Sequence, residues 1–276
     1  MSRCDAIFIE NCRSILDHGV SDEGYDVRPR WDDGTPAHTI KQFGIVNRYN
    51  LQEEFPILTI RRMYYKSAID EILWIWQKKS NRVADLNSRI WDQWALSDGT
   101  IGKAYGYQLG LKHQYSEGMF DQVDRVLYDL KNNPNSRRII VSMFNFSDLH
   151  EMALYPCAYS MTFNVSGRHL NGILNQRSND VLVANNWNVL QYSILLVMFA
   201  QVSGFIPGEL IHVIADAHIY DRHIPMVEEL IARPAFDAPR LRVDPDIKNF
   251  YDFRVSSFEF EDYQCGPPVK NIPVAT

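Results

Sequence analysis

The stretch YPCAYSMTFNVSGRHLNGILNQRSND, residues 155–180, decides how this chain folds. Tyr159 to Val165 and Leu170 to Gln176 have the length and composition of strands, and Ser166-Gly167 between them reads as a hairpin turn. Asn188 to Ser203 follows as a helix. Its apolar run from Val189 to Gly204 is interrupted by Gln191, Ser193, Gln201 and Ser203, and is shorter than the roughly 20 residues that cross a bilayer, so it reads as a buried helix. Leu210 to Ala215 then returns to strand composition.

Working outward, Arg138 to Phe144 reads as a further strand. Phe120 to Lys131 reads as a helix that turns Val123, Val126, Leu127 and Leu130 inward before Pro134. Tyr64 to Lys79 is another, with Ala68, Ile69, Ile72, Leu73 and Trp76 on one face and Glu71 inside the pattern. Asp5 to His18 forms a helix that stops at Gly19. Phe250 to Tyr263 alternates like a strand. The order is helices first, then strands interleaved with one helix, an α+β layout with a large sheet. No linker, charge block or repeat divides the chain, so residues 1–276 read as one domain.

The 34 acidic residues outnumber the 28 basic ones, so no global positive field draws the protein to nucleic acid or an anionic membrane, and RNA binding is at most secondary. Met1 to Asn11 carries Arg3, Asp5 and Glu10 rather than a basic region followed by an apolar one, and a cytoplasmic location is expected. The four cysteines, Cys4, Cys12, Cys157 and Cys265, show no Cys-x-x-Cys spacing. Neither a structural metal nor a disulfide framework is suggested.

Cys157 follows Pro156 between two segments, a place that presents a side chain. An isolated cysteine is ordinarily a small buried hydrophobe, but Arg177 and Ser178 come one hairpin later, and a thiolate needs such neighbours. Taken with His218, Cys157 also allows a hydrolase dyad, although that leaves the arginines and Asn188 without a task.

The segments Leu154-Tyr155-Pro156-Cys157, Gln176-Arg177-Ser178-Asn179-Asp180 and Asp216-Ala217-His218-Ile219-Tyr220 resemble those of thymidylate synthases. So do Ile90-Trp91-Asp92-Gln93-Trp94, Ala104-Tyr105-Gly106, Asn135-Ser136-Arg137-Arg138 and Pro273-Val274-Ala275. The resemblance implies a large mixed sheet flanked by helices, dimerising through the sheet. It implies reductive methylation of dUMP to dTMP, with 5,10-methylenetetrahydrofolate as co-substrate and no metal.

Carried over by position, the resemblance makes Cys157 the nucleophile at C6 of the uracil, with Arg177 beside it. Asn188 would read N3–H and O4 with an amide that both donates and accepts. By its own sequence context Asn188 could also cap the Val189 helix. His218 and Tyr220, two apart on one strand face, would bind the sugar hydroxyl; Arg28, Arg177, Ser178, Arg137 and Arg138 would grip the phosphate, the Arg137-Arg138 pair reaching across from the second subunit of a homodimer. Glu71 would assist proton movement, its pKa raised if it is buried without a partner. Tyr105 would lie near the C5 proton. Ile90, Trp91, Trp94, Leu154 and Trp187 would wall the folate, Asp180 would hydrogen-bond the pterin, and Val274, Ala275 and Thr276 would close over the ligands.

Three departures from the family pattern stand out: Ala158 where a histidine is common, Ala184-Asn185-Asn186-Trp187 before Asn188, and an insertion within Val27 to Thr39 that leaves Arg28 favoured over Arg30. A dUMP hydroxymethylase shares the fold and thiol. The intact aromatic wall and the terminal Pro-Val-Ala favour hydride transfer instead.

Overall fold

The computed structural model describes residues 1–275; Thr276, expected in the closing segment, lies outside them. In chain order the helices are α1 (Arg3–His18), α2 (Tyr65–Trp76), α3 (Gly106–Gly110), α4 (Gln122–Asn132), α5 (Asn186–Ser203) and α6 (Ile224–Ile231). The strands are β1 (Val20–Ser21), β2 (Thr39–Asn50), β3 (His113–Tyr115), β4 (Gly118–Phe120), β5 (Ile140–Ser142), β6 (Ala158–Ser166), β7 (His169–Gln176), β8 (Asn179–Asp180), β9 (Ile206–Tyr220), β10 (Arg240–Val243) and β11 (Phe258–Glu261).

Seven strands form one mixed sheet in the order β1-β2-β9-β7-β6-β5, with β8 also paired to β9. β7 and β8 run parallel to β9, and the remaining pairs are antiparallel. The β6–β7 hairpin turns through Gly167-Arg168, one residue later than the sequence suggests, with Ser166 still paired to His169. Gly167 supplies the positive φ (62°) that this tight turn requires.

α5 lies against the sheet, and every residue from Val189 to Ala200 is buried. That explains an apolar run with no polar face. Helical turns extend back to Val181, giving 23 residues, a length and composition sufficient to cross a membrane. The expectation of a shorter run is therefore corrected, while 78% burial inside the fold accounts for the apolar character. Phe199 sits at the centre, stacked on Phe250 at 4.5 Å and edge-on to Phe163 at 5.0 Å and Trp76 at 6.1 Å. Gly204 ends the helix in the left-handed conformation (φ 76°).

α1 is pinned by a buried carboxylate. Asp5 accepts hydrogen bonds from the backbone N–H groups of Thr59 and Ile60 and from the hydroxyls of Ser2 and Thr59.

Two expectations fail. Strands do not all follow the helices, because β2, 12 residues long, precedes α2 and pairs along β9. Its alternation is masked in the sequence: the buried parity switches at Gly44 (φ 79°) in β2 and again opposite it, near Ala215 in β9. Phe250 to Tyr263 is not a continuous strand either. Phe250–Asp252 and Val255–Ser257 are single tight turns, and only β11 pairs, with β10. The aromatics there pack in different directions rather than along one strand face: Phe250 on Phe199 of α5, Phe253 on Phe258, and Phe260 on Phe55 and Tyr65.

Replacing Phe199 with alanine removes a ring surrounded on three sides and should cost about 3–5 kcal/mol. Equilibrium denaturation would show it as a lowered midpoint.

Candidate active site

The described candidate residues other than Arg137 and Arg138 converge on one cavity of about 1150 Å³. Pockets for a single drug-sized ligand run from about 300 to 1,000 Å³, and this one lies just above that range. Its walls come from the β6–β7 and β7–β9 edges, α2, the start of α5, the Arg89–Trp94 segment and the chain end, Val269 to Ala275.

Register places the nucleophile candidate. Ala158 pairs with Gln176, so Cys157 faces Arg177 across the ladder, and the Arg177 backbone N–H donates to the Cys157 carbonyl at 2.9 Å. The guanidinium donates to the carbonyls of Tyr155 (2.7 Å) and Pro156 (3.1 Å) and reaches Sγ at 3.7 Å. Burial nevertheless pushes the Cys157 thiol above its ordinary value, with Arg177 pulling the other way. Arg177 is where the sequence suggested, but alone it does not make a resting thiolate. The thiols of Cys4 and Cys12 are fully buried and pushed up further by their surroundings.

Tyr105 holds an uncommon backbone conformation (φ 46°, ψ −107°), of the strained kind that gathers at functional sites. Its hydroxyl accepts from the Cys157 N–H at 3.1 Å. Ring contact with Trp91 at 5.4 Å keeps it in the wall.

Glu71 is buried but not alone, contrary to the condition attached to it. The indole N–H groups of Trp91 (2.7 Å) and Trp187 (2.5 Å) and the amide of Gln191 (2.8 Å) all donate to its carboxylate. Burial still holds its pKa above the usual carboxyl value against those three donors. The two tryptophans therefore line the cavity with their N–H groups directed to the Glu71 carboxylate. Ile90, Trp94 and Leu154 line the same wall.

Asn188 does not cap α5, which begins two residues earlier; the cap position belongs to Asn185. The Asn188 amide accepts from Gln176 Nε2 (2.9 Å) and donates to Gln191 Oε1 (3.1 Å). β9 continues to Tyr220, so His218 and Tyr220 do share a face, their rings 5.1 Å apart. Nδ1 of His218 bonds Asp216 at 2.8 Å.

Asp180 uses one oxygen to cap the turn at Leu182 and Val183. Its other oxygen lies 3.5 Å from His223 Nδ1. His223 donates from Nε2 to the Pro273 carbonyl at 2.8 Å, tying the chain end to the site. Burial opposes charge on this ring, yet Asp180 and Pro273 leave its pKa above the ordinary value.

Arg28 and Ser178 line the cavity, as does Ala275. Arg30 is spent on its own loop, donating to the carbonyls of Val27 and Pro29. Arg137 and Arg138 are not in this cavity. They are exposed and border a separate hollow of about 540 Å³ with Glu117 and Asp129.

Sequence reasoning gave no role to Gln176, Gln191 or His223, nor to Arg61 and Arg62, which also line the cavity. Gln191 had a visible signal, an amide inside an apolar helix. The others did not, because their partners lie far away in the chain.

The thymidylate synthase family model matches residues 6–275. Thymidylate synthase of Bacillus licheniformis is 47% identical over 271 residues, covering 96% of this chain and 97% of that protein. Thymidylate synthase 1 of Bacillus subtilis (strain 168) is 45% identical over the same length and shares. The solved structure of thermostable thymidylate synthase A from Bacillus subtilis superposes with a TM-score of 0.94 at 44% identity, covering 99% of each chain.

If burial dominates at Cys157, its alkylation by iodoacetamide should follow a pH midpoint above that of free cysteine, and Arg177→Gln should move it higher. Peptide mass spectrometry across pH reads both; a midpoint below the ordinary thiol range would refute the assignment.

Proposed function

The chain belongs to the thymidylate synthase family, and from that premise we propose that Cys157, in one catalytic domain spanning residues 1–276, performs the reductive methylation of dUMP to dTMP. The observation that carries this reading is the Cys157 thiol lying beside the Arg177 guanidinium in the cavity that Asn188 and His218 also line.

Uracil C5 is a poor nucleophile until something adds at C6. Sγ of Cys157 forms a bond to C6, its proton leaves, and the ring becomes an enolate nucleophilic at C5. Because the resting thiol favours its protonated form, ionisation waits on the bound nucleotide and the arginines gathered around it. Asn188 holds N3–H and O4. Glu71, its pKa raised by burial, serves proton movement near O4. Tyr105, held at the Cys157 backbone, stands where the C5 proton departs, and the Sγ–C6 bond then breaks to release product.

5,10-Methylenetetrahydrofolate supplies the carbon and the hydride and leaves as dihydrofolate. Its site fits: Trp91, Trp187, Trp94, Ile90 and Leu154 offer an apolar aromatic wall. Asp180 faces the pterin, and Ala275 with its neighbours covers it. Arg28, Arg177 and Ser178 bind the phosphate; His218, oriented by Asp216, and Tyr220 bind the sugar.

The sheet face turned away from α5 supports a homodimer. Phe43 is 88% exposed, Val46 61% and Ile140 56%, an apolar surface that a second copy would cover. Arg137 and Arg138, turned away from their own cavity, then serve the partner's phosphate. Four free thiols suit a cytoplasmic location.

With dUMP and methylenetetrahydrofolate the protein should produce dihydrofolate, seen by its absorbance, and a product with the mass of dTMP. Cys157→Ser should lower turnover by about 10³-fold or more. A hydroxymethyl product would sink hydride transfer. Separately, Phe43→Glu should shift the protein to monomer in sedimentation and lose activity with it.

A further inference from the structure

The half-buried Asn188 amide is one link in a chain of hydrogen bonds, buried at both ends, whose direction is fixed at one of them. Gln191, on α5, donates from Nε2 to two groups: a Glu71 carboxylate oxygen at 2.8 Å and the Ala68 carbonyl at 3.2 Å. A carbonyl can only accept, and so can an ionised carboxylate. Gln191 therefore turns its Oε1 toward Asn188 and accepts from Nδ2 at 3.1 Å. Asn188 in turn presents Oδ1 to Gln176 Nε2 at 2.9 Å, and Gln176 presents Oε1 to His212 Nε2 at 2.7 Å.

The far end is not fixed. His212 is fully buried, and burial pushes its pKa down to about 3, so the ring is neutral with one N–H. Its Nδ1 has no hydrogen-bond partner among the described residues. A neutral imidazole can carry its proton on either nitrogen. His212 thus follows the direction of the chain rather than setting it.

That direction matters for the base. An amide presents an acceptor and a donor side by side, matching uracil N3–H and O4; turned over in nearly the same volume, it matches cytosine N3 and its amino group. Each end of the amide has a second bonding position, so Asn188 can bond Gln176 and Gln191 on one side and the base on the other. Turned over, it would face donor to donor and acceptor to acceptor against the buried amides of Gln176 and Gln191, which is costly.

We propose that Gln191 is the positioning residue that makes this site take uracil rather than cytosine, by fixing which way the Asn188 amide faces. This rests on the reading of Asn188 as the base-recognising group. Without Gln191, the segment Asn188–Gln176–His212 can reverse as a unit, His212 moving its proton to Nδ1.

The test measures binding of dUMP and dCMP by calorimetry, so that turnover does not enter. Gln191→Met, close in size but without the amide, should lower the dUMP preference by about tenfold or more. Gln191→Glu, which still accepts from Asn188 and can share a proton with Glu71, should keep a preference near that of the wild type while turnover falls. Asn188→Ala should abolish the preference. If Asn188→Ala abolishes it but Gln191→Met leaves it unchanged, the proposal is overturned and the reading of Asn188 stands. If neither changes it, both fall. A second measurement needs no variant at position 191: in ¹⁵N spectra of the wild type, with His212→Gln assigning the signal, His212 should be neutral with its proton on Nε2. A proton on Nδ1 would overturn the proposal.

Discussion

A carboxylate placed in an apolar interior without a cation must collect hydrogen-bond donors, and Glu71 collects three, from two other parts of the chain. It lies on α2; Trp91 comes from the segment after α2, and Trp187 and Gln191 come from α5. Meeting that one demand docks α2 on α5 and holds both indoles at the cavity. It also orients the Gln191 amide against Asn188. Trp91, Trp187, Glu71 and Asn188 thus share one set of contacts.

The nucleophile is built on a different principle. Antiparallel register sets Cys157 opposite Arg177, and the arginine's bonds to the Tyr155 and Pro156 carbonyls hold it there. Burial nonetheless keeps the thiol protonated at rest. A protonated thiol is protected from stray alkylation and oxidation, since the thiolate is the reactive form. Tyr105 adds rigidity by accepting from the Cys157 N–H, at the expense of its own strained backbone.

Much of the fold is legible in the sequence wherever one periodicity persists. α1, α2, α4 and α5 follow from helical spacing or sustained apolar composition, and β6 and β7 from their length and turn. β2 is not legible, because its buried parity changes at Gly44 and neither half is long enough to declare itself. Phe250 to Tyr263 misleads for the opposite reason: its aromatics alternate loosely, yet tight turns send Phe250 onto α5 and Phe260 onto Phe55 and Tyr65. Cys157, Arg177, His218 and Tyr220 stand in local motifs and could be named at once. Gln176, His212 and His223 could not, since each gains its meaning from a partner distant along the chain.

The sequence by itself determined which chemical groups are available: a thiol after a proline, an arginine one hairpin away, an asparagine at the start of an apolar helix, a glutamate among apolar neighbours. Local spacing suffices for that, because helix and strand periods are properties of short segments. Only the tertiary structure decided the state of those groups. Whether Glu71 meets donors, whether the Cys157 thiol is held protonated, and which way the Asn188 amide faces depend on burial and on hydrogen bonds between residues up to 123 positions apart. Desolvation and the direction of a hydrogen bond exist only once those distant segments have packed together.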